Sequence, residues 1–114
     1  MERQTADAFA EHVDDRIDRR VTTGAKDKGD IGGLRVHNQR VVVECKDVAT
    51  MSIGTWVAEA EAERINDKAL AGFVVHKRRG KGNPLDQYVT MTLRDVIALI
   101  TGTRPEDETT PEES

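Results

Sequence analysis

Three side chains in the first half of this 114-residue chain are of the types that hold a metal ion and steady a reacting phosphate. Val41-Val42-Val43-Glu44-Cys45-Lys46 runs three β-branched apolar residues into an acid, a thiol and a base. As a strand its side chains alternate between faces, so Val41, Val43 and Cys45 point one way and Val42, Glu44 and Lys46 the other. Glu44 and Lys46 then sit side by side at the end of a strand that otherwise reads as buried. The plain reading of that pair is a salt bridge where the strand emerges into solvent. A second acid points further. Asp30 stands at the head of Gly29-Asp30-Ile31-Gly32-Gly33, a short strand bounded by glycines. A turn around His37-Asn38-Gln39 folds residues 29–36 back on residues 40–46, and neighbouring strands lie about 4.8 Å apart. Asp30 and Glu44 are then expected to meet at one end of the hairpin, with the Lys46 ammonium beside them. Hard oxygen donors of this kind suit Mg2+ or Mn2+.

The elements that must carry these residues follow from periodicity. Ala6, Phe9, Ala10 and Val13 recur at helical spacing over residues 2 to about 15. Ile17 to Val21 alternates apolar and polar residues and is read as a short strand; Thr22 to Gly29 is a loop. After the hairpin, Ser52 is placed to cap a helix reaching about Ala69. On it Ala58, Ala62, Ile65 and Ala69 form a stripe expected to lie on the sheet. Ile53, Trp56, Val57 and Ala60 form a second apolar face, under the first helix or at a subunit interface. Glu59 and Glu63 are expected to face solvent, although the helix could bring one of them near the metal. A strand over Gly72–Lys77, another over Gln87–Met91 and a Thr92-capped helix over Leu93–Ile100 follow, with Val96, Ile97 and Ile100 inward and Gly102 as the stop. The class is α/β, in one domain over residues 1–102. Residues 103–114 form an acidic tail with two prolines, expected to be disordered.

Composition bounds the partners. No apolar run approaches the roughly 18 residues of a membrane span, and the single cysteine allows no internal disulfide, so a soluble, cytoplasmic protein is expected. The net charge of −4 is unusual for a nucleic-acid binder. The tail accounts for it: of 21 acids and 17 bases, five acids and one base lie from Thr103 onward, which leaves residues 1–102 neutral. Within that neutral body the cations are segregated. Lys77, Arg78, Arg79 and Lys81 form one basic, glycine-rich loop, and Arg19, Arg20, Lys26 and Lys28 form a second cluster near Asp30. Both are candidates for DNA phosphate contacts. With only four aromatic residues, base stacking is a poor prospect for recognition.

Gly29-Asp30-Ile31 followed by Glu44-Cys45-Lys46, an ExK at the end of a Val-rich strand, resembles the PD-(D/E)xK nuclease superfamily. Gly29 stands in the place of the motif's proline. The element order resembles the restriction-endonuclease-like αβββαβ core, a central mixed sheet flanked by helices. Asp18-Arg19-Arg20, Trp56 to Glu63 and His76 to Gly80 resemble segments of archaeal and phage Holliday junction resolvases and of small actinobacteriophage endonucleases. The resemblance implies a Mg2+-dependent endonuclease of branched DNA, a homodimer, with Mn2+ as substitute, in the cytoplasm of a bacterial host if phage-encoded. It further implies that Asp30, Glu44 and the main-chain carbonyl of Cys45 ligate the metal and that Lys46 holds the attacking water. The alternatives are a non-catalytic nucleic-acid-binding module of the same fold and a restriction-like or nicking endonuclease.

Related nucleases also place a glutamate on the first helix, and Glu2 and Glu11 compete for that role. Taking Phe9 as zero and roughly 100° per residue, Ala6, Ala10 and Val13 fall at about 60°, 100° and 40°, Glu2 at about 20° and Glu11 at about 200°. Glu2 therefore shares the sheet-facing side. Glu2→Ala is expected to lower Mg2+-dependent DNA cleavage at least about tenfold, while Glu11→Ala cleaves like wild type; the reverse ranking would mean a differently rotated helix.

Overall fold

The valine run at residues 41–43 becomes the middle of the sheet. A computed structural model describes residues 1–20 and 29–106. Its elements are α1 (Glu2–His12), β1 (Asp18–Arg19), β2 (Ile31–Gly32), β3 (Arg35–Val36), β4 (Gln39–Lys46), α2 (Ile53–Asp67), β5 (Ala71–His76), β6 (Tyr88–Thr90) and α3 (Leu93–Thr101), with a 3-10 turn at Pro84–Asp86. The strands lie in the order β1-β2-β4-β5-β6, and β3 also pairs with β4. Among the described residues only β4 and β5 are parallel, joined through α2; every other pair is antiparallel. The chain is thus α/β, with a mixed sheet of six strands flanked by three helices, compatible with a restriction-endonuclease-like core. Among the described residues no helix is long and apolar enough to cross a membrane.

The turn expected around residue 37 is a two-residue hairpin. His37 and Asn38 both take positive φ, 53° and 59°, as the primed turns between twisted strands require. Gly33 breaks the returning arm into β2 and β3. Its φ is +94°, and an added Cβ would lie 3.0 Å from the Arg16 carbonyl, so only glycine follows this path. The hairpin tip is docked on the end of α3: His37 Nε2 lies 2.9 Å from the Leu99 carbonyl and the Gln39 amide donates to the Gly102 carbonyl at 2.7 Å.

Alternation along β4 divides the core between two faces. Val41 and Val43 join Phe73 and Val75 of β5, with Ile31 and Leu34, against Ala6 and Phe9 of α1. The opposite face carries Val74, packed on Trp56 and Ala60 of α2. Gly72 lets that helix approach, since a Cβ there would fall 3.1 Å from the Ala60 carbonyl.

Two helices are rotated from their expected positions. On α2 the buried residues are Trp56, Ala60, Glu63 and Asp67; Ala58, Ala62 and Ile65 face outward, Ile65 at 59% exposure. The aromatic ring fills the space at the strand end, and the two acids find polar partners beneath the helix. On α3 the buried pair is Asp95 and Ala98, while Leu93, Ile97 and Ile100 are exposed. Asp95 is drawn in by charge: it accepts from the Gly72 amide at 3.2 Å and pairs with Arg104. The caps at Thr92 and Gly102 are as expected.

Arg104 lies two residues past the domain end expected at residue 102 and packs back on the fold. Its guanidinium donates to the Leu70 carbonyl at 3.2 Å and to Glu61 at 3.1 Å as well as to Asp95. The folded part therefore includes residues that were assigned to the tail; the tail beyond Glu106 lies outside the described residues. Arg104→Ala leaves Asp95 buried without its cation and is expected to cost roughly 3 kcal/mol, read as a lower urea midpoint at unchanged slope. An unchanged midpoint would show that these contacts contribute nothing.

Candidate functional site

The site forms where β2 and α2 meet the end of β4. Asp30 extends the β2 ladder beyond its last paired residue. Its amide donates to the Val43 carbonyl at 2.9 Å, and its carboxylate Oδ2 accepts the Cys45 amide at 2.8 Å. Gly29 makes this possible. Its φ is +95°, and a Cβ would sit 2.9 Å from Val42 Cγ1. Proline, held near −65°, cannot take this path, so glycine at residue 29 is a requirement of the local backbone.

Glu44 follows Val42 to the α2 face and is only 5% exposed. Asp30 reaches it by a side-chain hydrogen bond, and so does Glu63 of α2. Glu63, expected in solvent, is 3% exposed. Glu59, one turn earlier, is half-buried and accepts from Lys46 Nζ at 2.8 Å. Carboxylate oxygens of Glu44, Glu59 and Glu63 lie within 4.8 Å of one another. Burial pushes Glu44 up to about 8; the neighbouring Glu63 raises it further, while Asp30 and Lys46 act against the rise. Lys46 is shifted upward, first by its bond to Glu59, and so stays charged.

Cys45 turns to the other face, as alternation requires. It packs with the α1-side core, and burial pushes its thiol up to about 12, which leaves it inert at neutral pH. Its carbonyl has a different outlook. Successive carbonyls of a strand point to opposite edges, and that of Lys46 is taken by the Lys77 amide on the β5 side at 3.0 Å. The Cys45 carbonyl therefore faces the β2 edge, where Asp30 stands.

The remaining expected residues fall in different places. Glu2 is exposed, and its charge reaches the Cys45 thiol from α1. Arg19 is exposed. Arg20 turns inward instead: it lies 3.4 Å from the buried Asp67, and its guanidinium packs over Gly32. That is a structural position, because its charge is already matched. Lys26 and Lys28 lie outside the described residues. Lys77, Arg79 and Lys81 are exposed and Arg78 is half-buried. Their loop is pinned by Gln87, which accepts from the Arg78 amide at 2.7 Å and donates to the Lys81 and Asn83 carbonyls, each at 2.9 Å. Glu63 is the site residue that periodicity missed. Its signal was present in the row Trp56, Ala60, Glu63, Asp67, which places the largest apolar side chain of the helix over two acids.

No protein-family model, curated protein or solved structure matches this chain.

The buried acid gives the metal-free protein a pH signature. Glu44 titrates near 8 in the fold against 4.5 as an ordinary glutamate. Between those values the folded state holds a proton that the unfolded chain has released, so stability falls as pH rises through that window. Glu44→Gln should flatten this slope and at pH 8 raise stability by at least about 1 kcal/mol, one pKa unit's worth, with little effect at pH 4. Chemical denaturation across pH in the presence of a chelator measures it; an unaltered slope in the variant would place the proton elsewhere.

Proposed function

We propose that this chain is a Mg2+-dependent endonuclease that cuts branched DNA, of the four-way-junction type, and that it works as a homodimer in the cytoplasm. The observation that carries the reading is the convergence of Asp30, Glu44, Glu59 and Glu63 with Lys46 at the end of β4, beside a cationic loop. The donor set fits a hard divalent cation. It is made of oxygen and largely buried, and burial above all, with the neighbouring Glu63, keeps the proton on Glu44 to about pH 8. Asp30, Glu44 and the Cys45 carbonyl would hold the ion, with Glu63 behind them. When bound, Mg2+ or Mn2+ supplies a water of lowered pKa and polarises a phosphate oxygen.

The chain's own residues do the rest. Asp30 is held in place by the Cys45 amide, so one metal-facing carboxylate keeps a fixed direction. Lys46 enters as a charged ammonium whose partner Glu59 is half exposed. On leaving Glu59 it can hold the attacking water or neutralise charge growing on the phosphate. Lys77, Arg78, Arg79 and Lys81 supply phosphate contacts along the approach. The exposed row Leu93, Ile97, Ile100 on α3, with Leu93 and Ile100 above 70% exposure, supports the dimer. Paired symmetric cuts need two such sites related by a two-fold axis.

Glu44→Gln is expected to abolish cleavage of a labelled four-way junction in Mg2+ while keeping DNA affinity within about twofold. Lys46→Ala should lose turnover as well but still take up Mn2+ in a calorimetric titration. Full activity in Glu44→Gln would end the metal-site reading. A wild-type protein that binds junction, flap, duplex and single strands alike without cutting any of them in Mg2+ or Mn2+ would instead be a binding module of the same fold.

A further inference from the structure

Beside the acid cluster lies an open groove of about 690 Å3, within the roughly 300–1,000 Å3 typical of ligand sites. Its lining brings together half of the chain's aromatic residues. Trp56, His76 and Tyr88 form a row of rings with centroids 5.3 Å and 5.8 Å apart. Trp56 and His76 are buried, whereas Tyr88 is 48% exposed. The Arg78 guanidinium lies 5.2 Å over the Tyr88 ring, and Lys77 and Arg79 flank it against one acid, Asp47. Val48 and Met51 complete the lining with apolar side chains.

His76 is the telling residue. It is 4% exposed, and its Nε2 lies 2.8 Å from the Thr90 hydroxyl. Its Nδ1 is buried and has no hydrogen-bond partner. A buried polar atom in that condition is uncommon and costly. Burial shifts the ring toward its neutral form, so Nδ1 offers either a donor or an acceptor, whichever the bond to Thr90 leaves over.

We infer that this groove receives an unstacked nucleobase from a single-stranded segment of nucleic acid, its face on Tyr88, its edge toward His76, and its neighbouring phosphates on Lys77, Arg78 and Arg79. An aromatic face, an edge-reading nitrogen and a run of cations are the three features that a nucleotide within a strand engages. A base inside a duplex cannot offer its face, because its neighbours cover it. Three cations along an open groove suit the successive phosphates of a strand better than the single phosphate of a free nucleotide. The inference rests on the nuclease reading, and it names the substrate feature read next to the cut. His76 is the registered partner of Lys46 across β4 and β5, so the two backbones lie one strand spacing, about 4.8 Å, apart, and an occupied groove puts an unpaired base next to the strand end that carries the lysine. In branched DNA such a base is supplied where a pair at the branch point opens.

Fluorescence anisotropy in a chelator tests this without cleavage. The probes are a labelled six-nucleotide oligothymidylate and an abasic phosphodiester strand of equal length and charge. Wild type should bind the base-bearing strand roughly tenfold more tightly. Tyr88→Ala should lose that preference while binding the abasic strand as before, and Tyr88→Phe should retain it. Tyr88→Leu replaces Tyr88→Ala should the latter melt early. Equal wild-type affinities, or a preference that survives loss of the ring, would overturn the assignment. So would displacement of the oligomer by thymidine monophosphate at matching concentration, which would mean a pocket for free nucleotides. Junction cleavage by the same preparation in Mg2+ separates the two readings. Cutting without base preference removes the groove assignment alone, whereas base preference without cutting keeps the groove and removes the nuclease.

Discussion

One hydrogen bond from a backbone amide to a side chain holds the working end of this fold together. β2 shares a single registered pair with β4, Ile31 with Val43. Past that pair the chain turns away at Gly29. Asp30 continues the ladder with its carboxylate, standing where a strand carbonyl would be and taking the Cys45 amide. Its own carbonyl meanwhile accepts the Arg20 amide at 2.7 Å and so ends β1. Three strands thus depend on one residue. Without that acceptor the half-buried Cys45 amide would be left unsatisfied at a cost of about 1–3 kcal/mol, and the direction of Glu44, one residue before it, would no longer be fixed.

From that anchored strand end the polarity of the α2 interface follows. Glu59, Glu63 and Asp67 recur one turn apart, and each meets a different partner. Glu59 meets Lys46, Glu63 meets Glu44, and Asp67 lies 3.4 Å from Arg20 and 3.6 Å from Arg40. The two outer contacts are compensated ion pairs, and the central one is acid against acid. Buried charges are tolerated when paired. Where the two acids face one another a proton or a cation offsets the burial, which makes the concentration of acid local rather than a property of the whole helix.

The sequence made the strands and their ends legible, because alternation, glycine and turn residues act locally. Val41 to Lys46 sorted correctly to the two faces, His37 and Asn38 made the turn, and Thr92 and Gly102 bounded α3. The meeting of Asp30 with Glu44 followed from hairpin geometry. Helix rotation was not legible. Counting apolar residues assumes that the inward face is the apolar one, and here Glu63, Asp67 and Asp95 are buried by partners distant in sequence. Ile65, Ile97 and Ile100 were consequently turned the wrong way. The ring cluster was also missed. Trp56, His76 and Tyr88 are spread over 33 positions of the chain, and only the parallel pairing of β4 with β5 and the return of β6 bring them side by side. A low aromatic count said nothing about where those few rings would gather.

Arg104 bears on how the chain is made as well as on how it is held. Its cation reaches α2 through Glu61, the start of β5 through the Leu70 carbonyl, and α3 through Asp95. All three are synthesised before it. At translation rates of roughly 5–20 residues per second, Arg104 follows Asp95 by on the order of a second. During that interval an acid destined for burial has no cation to accompany it, so α3 cannot settle fully on β5. Closure of this corner is therefore tied to the arrival of one late residue. A chain stopped a few residues short would be an unlatched version of the whole fold, open at α3 and exposed to proteolysis there, and not a smaller stable domain.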